Sequence, residues 1–389
     1  MIYFDNGATS YPKPGKVIRA VNEAFTRYGA NPGRSGHTMA MCTDKKVFEC
    51  REAAAKLFHI DAPEQVVFCC NATHAINAAL KGSLYPGDHV IISDLEHNAV
   101  LRPIHTMMTR GDISYSIACV DSDSDDETVD SFRRLIRPET RMIACTHGSN
   151  VFGLRLPIER IGALAAEHGL LFVVDAAQTA GVVDIDMRAC NIDFLCTAGH
   201  KGLYGPSGTG LLLTPHGCEM NTMMEGGTGS FSSDFNQPKT MPDRLESGTV
   251  NTSGIIGLCA GIGFVMENGP DRLYRHEMKI AGEIHRGLGK IKGVRLYNKE
   301  CAYGRQLPVV SFNLAGLHSE EMGQKLSDAG IAVRAGLHCA PLAHQKMGTL
   351  ESGTVRVSVG AFNTADHATQ LCGAVKKIAA KHCNTPGIW

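Results

Sequence analysis

The sequence predicts an α/β protein with a large, mainly parallel sheet and a smaller, separate α+β domain. Three observations carry this prediction. From about Glu64, short apolar runs alternate with helix-length segments, which is typical of a parallel sheet covered by helices on both faces. Near Asn268 this alternation ends and another pattern begins. The 389 residues also suffice for two or three domains with a large buried core.

The large sheet is predicted to have seven strands, which are Gln65–Cys69, Asp88–Ser93, Ile113–Val120, Arg141–Thr146, Leu170–Asp175, Ile192–Thr197 and Gly208–Leu213. Helices are predicted between them at Thr73–Leu84, Ala99–Thr109, Thr128–Ile136 and Pro157–His168. Beyond Asn268 the pattern predicts a long helix (Asp271–Ile291), then Gly293–Leu296, Val309–Asn313, Glu320–Ala329, Ala332–Ala335, Val355–Ser358 and a closing helix, Ala365–His382.

Composition and charge exclude several classes of protein. Lys and Arg number 38 against 39 Asp and Glu, so the chain lacks the basic excess that binding nucleic acid requires. The longest apolar stretch, Gly254–Met266, is shorter than the roughly 20 residues of a spanning helix and indicates a buried, Gly-rich helix. The N-terminus has no signal-peptide pattern. We therefore expect a cytoplasmic protein without nucleic-acid or membrane partners, and most of its 14 cysteines buried.

Two charged residues follow predicted strands and suggest cofactor chemistry. Asp175 ends an apolar strand at the edge of a parallel sheet where ligands of open α/β folds bind, although it could instead cap a helix. Lys201 lies among glycines 26 residues later, where burial would lower its pKa enough for Schiff-base formation, although a surface turn is the alternative. Pyridoxal phosphate needs this pair, a lysine for its aldehyde and an acid for its pyridine nitrogen.

Two further strand ends carry candidate cofactor contacts. Asn71-Ala72-Thr73 leads from a strand into a helix, whose free N–H groups and Thr hydroxyl suit an anion, unless the turn is only an N-cap. His97 follows another strand and could lie flat on an aromatic cofactor or be a core histidine.

The C-terminal part contributes a candidate nucleophile and a candidate anion clamp. Cys339 lies in a glycine-containing loop with His338 and Arg334, which we expect to supply positive charge that favours a thiolate. Arg356 interrupts a strand pattern and is either a clamp for a substrate carboxylate or a surface residue. No Cys/His set has the spacing of a zinc site, and Gly205–Gly210 precedes a strand, unlike a dinucleotide loop.

Eight motifs along the whole chain resemble those of class V aminotransferase-fold proteins. They are Tyr3-Phe-Asp-Asn-Gly-Ala-Thr9, Glu96-His97-Asn98, Thr146-His-Gly-Ser-Asn150, Asp175-Ala-Ala-Gln178, Gly199-His200-Lys201, Glu246-Ser-Gly-Thr249-Val-Asn-Thr252, Arg334-Ala-Gly-Leu-His-Cys339-Ala and Arg356…Phe362-Asn-Thr364. The pattern is most similar to that of SufS-like (group II) cysteine desulfurases and selenocysteine lyases. It implies a fold-type I pyridoxal-phosphate-dependent transferase with a seven-stranded large domain (15–267) and a small domain (1–14 and 268–389) that carries the cysteine loop.

The resemblance implies a role for each matching residue. Lys201 would bind pyridoxal 5′-phosphate covalently and move the substrate's Cα proton. The other cofactor contacts would be Asp175 to the ring nitrogen, Gln178 and Asn150 to the ring oxygen, His97 stacked on the ring, and the Ala72 amide, Thr73, His200 and, from the second subunit of a homodimer, Thr249 to the phosphate.

The resemblance also implies the reaction. Arg356, assisted by Asn150, would bind the carboxylate of L-cysteine, and Cys339 would take the sulfur as a persulfide for an acceptor protein. Three positions depart from the family pattern: Ala198 replaces a usual hydroxyl residue, His74 a common acid, and Gly202 is an extra residue after the lysine. Alternatives are a selenocysteine lyase, a pyridoxal-phosphate lyase or aminotransferase that does not use Cys339, and a cofactor-free scaffold.

Overall fold

A computed structural model of the protein describes residues 1–33, 36–298, 301 and 303–383. The strands in chain order are β1 (Ile2–Tyr3), β2 (Val66–Cys69), β3 (His89–Ser93), β4 (Ser114–Ala118), β5 (Thr140–Thr146), β6 (Leu171–Asp175), β7 (Phe194–Ala198), β8 (Gly210–Leu213), β9 (Val294–Leu296), β10 (Val309–Leu314), β11 (Ile331–Ala332), β12 (Arg334–Gly336) and β13 (Thr354–Ser358). The helices are α1 (Gly15–Arg27), α2 (Thr38–Leu57), α3 (Ala72–Ser83), α4 (Asn98–Thr109), α5 (Asp125–Arg133), α6 (Ile158–Glu167), α7 (Thr252–Asn268), α8 (Pro270–Leu288), α9 (Ser319–Asp328), α10 (Pro341–Lys346) and α11 (Ala365–Cys383).

Strands β2 to β8 form one seven-stranded sheet in the order β2-β8-β7-β6-β5-β3-β4. Only β8 runs against its neighbours, so the sheet is mainly parallel, as predicted. Each of the seven predicted runs overlaps one of these strands, and five of the runs contain their strand entirely. Because six strands point the same way, the residues that follow them meet at one edge of the sheet.

Successive residues of the central strands face opposite sides of the sheet and pack into two different apolar clusters. Ile143 and Phe172 belong to one cluster, and Met142 and Val173 belong to the other. This alternation is the pattern of a sheet buried on both faces by helices. Within the described part of the chain, no helix combines the length and apolar character needed to cross a membrane.

The C-terminal region contains a second sheet, with the antiparallel order β12-β13-β10-β9. The predicted strand Ala332–Ala335 is wrong as one element, because β11 pairs with β1 while β12 pairs with β13. The pairing of β1 brings the N-terminus to this region, and Asp5 forms a further bridge with Ser358. The residues after β1 are thereby placed between the two main sheets.

Candidate active site

The carboxyl ends of the parallel strands surround a small cavity. Eight of the predicted cofactor residues line it, namely Ala72, Thr73, His97, Asn150, Asp175, Gln178, His200 and Lys201. They come from five different strand ends, so their meeting depends on the strand order rather than on their spacing in the chain. The sheet therefore assembles most of the predicted site.

Lys201 and Asp175 supply an amine and a carboxyl group to this cavity. Desolvation lowers the pKa of Lys201 to about 8, while the charge of Asp175 opposes the shift. Burial raises the pKa of Asp175, and a hydrogen bond from the Ala177 N–H to its Oδ1 (2.9 Å) and the charge of Lys201 counteract it. The structure thus holds an amine that loses its proton readily beside a buried carboxylate.

One corner of the cavity is suited to an anion. Asn71 caps helix α3, and its Oδ1 accepts a hydrogen bond from the N–H of His74 (2.9 Å). The first N–H groups of the helix, at Ala72 and Thr73, have no intrahelical acceptor, and both residues line this corner. The buried Nδ1 of His200 also has no partner. These donors form the set that a phosphate group requires.

His97 lies at the start of helix α4 and is neutral at pH 7. Its Nδ1 accepts a hydrogen bond from the Ala99 N–H (3.0 Å), which fixes the ring at the helix N-terminus. Desolvation lowers the pKa of His97 to about 4, and the charges of Lys201 and Arg334 add to this effect. A neutral imidazole held in one orientation is suited to contact an aromatic ring.

The amides of Asn150 and Gln178 are each anchored to another segment. Asn150 Nδ2 donates to the carbonyl oxygen of His338 (2.7 Å), and Gln178 Nε2 donates to that of Gly7 (3.0 Å). Since a side-chain amide has two N–H donors, one remains on each residue for a ligand in the cavity. The sequence did not indicate these anchoring contacts.

Arg356 is fully buried and is held from two sides. Its Nη2 forms an ion pair with Oδ1 of Asp5 (2.7 Å), and its Nη1 donates to the backbone oxygen of Asn150 (3.0 Å). The Nε group has no partner. The interpretation of Arg356 as a surface residue is therefore wrong. Sequence reasoning did not single out Asp5, although a buried arginine requires a carboxylate or a ligand.

Cys339 is exposed on a loop (residues 337–340, the Cys339 loop) that is docked beside the cavity. The carbonyl oxygen of Cys339 accepts a hydrogen bond from the N–H of Asn98 (2.7 Å), and that of His338 accepts one from Asn150. His338 and Cys339 both have positive φ angles, 52° and 58°. The two carbonyl contacts hold the loop in this left-handed conformation, which costs free energy for residues other than glycine.

The expectation that His338 supplies positive charge to the Cys339 thiol is wrong. His338 is 3% exposed, and desolvation lowers its pKa to about 3, so the ring is neutral at pH 7. The ring instead lies parallel to that of His344, whose Nδ1 lies 2.7 Å from Oγ1 of Thr349. Of the two predicted sources of charge, Arg334 remains, directly opposite Arg356 in the β12–β13 pair.

Thr249 and the three departures from the family pattern have simple structural settings. Thr249 is exposed and lies apart from the other predicted cofactor residues of the same chain. Ala198 packs with two other alanines at the cavity wall. His74 accepts a hydrogen bond at Nδ1 from the Cys70 N–H (3.3 Å), and Gly202 lies where an added Cβ would meet the carbonyl of Ala180 at 2.5 Å.

Among the described residues, no group of three or more His, Cys, Asp or Glu is arranged to bind a metal.

Glu96 is predicted to make the cofactor-free protein less stable as pH rises. It is fully buried, and burial raises its pKa to about 8 from 4.5. The folded state therefore keeps a proton that the unfolded state loses above pH 4.5, so the stability that this proton supports is lost as pH rises towards 8. Between pH 5 and pH 8, the free energy of unfolding of wild type should fall by roughly 3–4 kcal/mol more than that of Glu96→Gln. Urea unfolding of both proteins at both pH values measures this change. If wild type and Glu96→Gln differ in stability by the same amount at pH 5 and pH 8, Glu96 does not have a raised pKa.

The comparisons with known proteins agree with this geometry. The family model for class V aminotransferases matches residues 2–371, and the chain belongs to this family, whose members depend on pyridoxal phosphate. A probable cysteine desulfurase of Methanothermobacter thermautotrophicus is 33% identical over 97% of this chain and 94% of its own. A cysteine desulfurase of Salmonella agona is 31% identical over 97% and 93%.

Solved structures show the same fold. An apo structure of a cysteine desulfurase from Thermococcus onnurineus has a TM-score of 0.90 and 30% identity, covering 98% of this chain and 95% of that one. The cysteine desulfurase CsdA of Escherichia coli has a TM-score of 0.86 and 28% identity, covering 98% and 94%. The predicted fold class and family are thereby confirmed, and the assignment to the SufS-like branch stays a prediction.

Proposed function

We propose that the protein is a pyridoxal-phosphate-dependent cysteine desulfurase that converts L-cysteine to L-alanine and transfers the sulfur to Cys339. The observation that carries this proposal is the docking of the Cys339 loop beside the cavity of Lys201 and Asp175. An enzyme that only moved an amino group would have no use for a thiol there. The names of the relatives support the same activity.

The cavity fits pyridoxal phosphate. The unpartnered Nδ1 of His200 and the free N–H groups of Ala72 and Thr73 would hold the phosphate. Lys201 would bind the aldehyde carbon, and the buried Asp175 would keep the ring nitrogen protonated.

The remaining contacts would orient the ring. The second N–H donors of Asn150 and Gln178 would bond its oxygen, and the neutral His97 would lie against its face. When bound, the cofactor supplies an electron sink for the substrate's Cα.

Arg356 supplies the contact for the substrate carboxylate. Asp5 and the backbone oxygen of Asn150 fix the guanidinium plane and leave Nε without a partner, but Arg356 is fully buried outside the cavity lining, so the substrate would have to uncover it on binding. A buried, always charged arginine with one unpartnered donor is a strong site for a carboxylate, because the charge is already desolvated before the substrate arrives.

The sulfur transfer itself uses Cys339. The Cys339 thiolate attacks the substrate sulfur, so an S–S bond forms and the C–S bond of the substrate breaks. The electron pair of that bond leaves with the carbon, which takes a proton and becomes alanine. Lys201, whose pKa of about 8 suits proton transfer near neutral pH, moves the proton at Cα. The balance is L-cysteine plus a thiol giving L-alanine plus a persulfide.

The test is product analysis with L-cysteine and L-selenocysteine side by side. The proposal expects one alanine for each sulfur atom released in the presence of a reductant, and a Cys339 that is 32 Da heavier when the reductant is omitted. Pyruvate or transamination as the main outcome with cysteine would contradict it. Alanine from selenocysteine but none from cysteine would identify a selenocysteine lyase.

The exposed Cys339 thiol is the group that delivers the sulfur. A persulfide on an exposed loop is accessible to the thiol of another protein, so an acceptor protein is the expected partner. The sulfur would pass to that thiol by attack on the outer sulfur of the persulfide, which regenerates Cys339.

The functional unit is proposed to be a homodimer in which Thr249 completes the phosphate site of the partner. Thr249 is exposed and belongs to a polar, glycine-containing segment, which suits a segment that crosses a two-fold interface. Lys201→Ala chains alone should be almost inactive, and Thr249→Ala chains alone should be weakly active. Their mixture should regain activity, because one site of each hybrid dimer is undamaged. A mixture no more active than its two parts would rule out sharing of the site.

A further inference from the structure

Lys201 begins a tight turn whose other end is Tyr204. The N–H of Tyr204 donates to the carbonyl oxygen of Lys201 (2.9 Å), and Tyr204 has a φ angle of 56°. Few non-glycine residues adopt this left-handed conformation, and for a bulky one it needs support from the surrounding structure. The turn also contains Gly202, which packs directly on the carbonyl of Ala180. The backbone that carries the lysine is therefore closely constrained.

The hydroxyl group of Tyr204 supplies part of that support. It donates to Oε1 of Glu277 on α8 (3.3 Å) and accepts a hydrogen bond from the N–H of Ala361, which follows β13 (2.8 Å). Tyr204 and Glu277 are both 3% exposed. Burial raises the pKa of Glu277 to about 8, so at pH 7 this carboxyl group is mostly neutral. The turn of Lys201 is thus bonded to helix α8 and to the loop that follows β13.

The ring of Tyr204 adds apolar contacts in the same place. It meets Phe264 of α7 edge-on, with ring centres 5.1 Å apart, and Phe362 at 6.1 Å. A second small cavity lies behind the lysine and is lined by Asn6, Lys201, Gly202, Tyr204, Glu277 and Ser358. Because this cavity borders Lys201, the turn would have room to move into it if the contacts of the Tyr204 side chain were removed.

We propose that Tyr204 is the positioning residue of Lys201. It holds the turn in a fixed position relative to the C-terminal region through its hydrogen bonds with Glu277 and Ala361. It does not touch the reacting atoms. It acts on the orientation of the lysine, and thereby on the rate at which the Cα proton is moved. This inference rests on the proposed function for its kinetic consequence but not for its structural one.

Tyr204→Phe tests the proposal because it removes the hydroxyl group and keeps the ring. In the holoenzyme, kcat for L-cysteine should fall about tenfold or more while KM changes less than twofold, since Arg356 and the substrate pocket are untouched. Hydrogen–deuterium exchange of the peptide containing residues 201–205 should become at least several-fold faster. Unchanged kcat and unchanged exchange would overturn the proposal.

Tyr274→Phe is the matched control. Tyr274 is on α8 and, like Tyr204, is 3% exposed, and its hydroxyl donates to the carbonyl of Gln306 and accepts from the N–H of Gly304 (3.0 Å). Tyr274→Phe therefore removes the same number of hydroxyl hydrogen bonds, one helical turn from Glu277 on α8, through contacts that do not include the Lys201 turn. Its kcat and the exchange of residues 201–205 should stay within twofold of wild type. An equal loss in both variants would show a general effect on stability and overturn the positioning role.

Variants of Glu277 provide a second test of the positioning role of Tyr204. Glu277→Gln keeps a neutral acceptor for the Tyr204 hydroxyl and should retain wild-type kcat at pH 7, whereas Glu277→Met should reproduce the kcat loss of Tyr204→Phe. Wild-type kcat in the Met variant would contradict the proposal. If wild type itself has no activity on cysteine, the proposed function fails, and the exchange measurements alone still decide whether Tyr204 holds the turn.

Discussion

Alanine formation from L-cysteine is expected to fall by about 10³-fold or more when Cys339 is replaced by alanine, because none of the described residues that line the cavity is a cysteine that could accept the sulfur. The cofactor should stay bound, since its contacts come from the edge of the seven-stranded sheet and none comes from the Cys339 loop side chain. Absorbance spectra of the variant, before and after addition of cysteine, show whether the cofactor stays bound and still reacts with the substrate when alanine is no longer formed.

Cys218→Ala is the control for loss of an exposed thiol, and it should desulfurate cysteine at the wild-type rate. In wild type, Cys339 should be the thiol that gains one sulfur atom by mass. L-selenocysteine separates two mechanisms, because its selenium can leave as Se(0), with the electron pair of the C–Se bond kept on carbon and protonated, so that alanine can still form in the variant without attack by a thiol. Sulfide release from cysteine at an undiminished rate in Cys339→Ala would show that the persulfide mechanism is wrong.

Lys201→Ala is expected to lower turnover by roughly 10⁴-fold, because it removes both the covalent attachment of the cofactor and the group that moves the Cα proton. The phosphate corner, formed by Ala72, Thr73 and His200, should still bind the cofactor without a covalent bond. Borohydride reduction followed by peptide mapping should therefore label wild type at Lys201 and leave the variant unlabelled.

Lys13→Ala shows whether a lowered pKa alone explains the labelling. Burial lowers the pKa of Lys13 to about 8, the same as that of Lys201, and its Nζ donates to the carbonyl oxygen of His200 (2.8 Å). Lys13 does not line the cavity. The label should remain at Lys201 in Lys13→Ala. Transfer of the label to Lys13 in Lys201→Ala, or its loss in Lys13→Ala, would contradict the assignment of the cofactor lysine.

The sequence predicted the parts of the site that depend on strand ends. Asp175, His97 and Lys201 each follow an apolar run, and parallel strands bring such positions to one edge whatever their distance along the chain. Apolar runs also marked all seven strands, because a sheet buried on both faces needs them. Helices α1 and α2, which precede the first run, were not predicted.

The contacts that could not be predicted join segments far apart in the chain. Asp5 pairs with Arg356, and Asn98 bonds the Cys339 loop, yet neither contact leaves a periodic pattern in the sequence. The prediction of a positive charge on His338 was wrong for a related reason. Proximity to Cys339 in sequence suggested a cation, but burial decides whether an imidazole is protonated, and burial is a property of the folded chain.

The left-handed backbone at His338 and Cys339 has a consequence for sulfur delivery. Two such residues disfavour the docked loop by about 1 kcal/mol or more each, and the two carbonyl hydrogen bonds favour it by about 0.5–1.5 kcal/mol each. These contributions are similar in size, so the two hydrogen bonds do little more than offset the backbone strain, and the buried side chains of His338 and Ala340 keep the loop docked. Since the Cys339 thiol is exposed in the docked loop, the proposed acceptor protein can reach it while the loop stays in place, and handing over the sulfur requires no separate step to open the site.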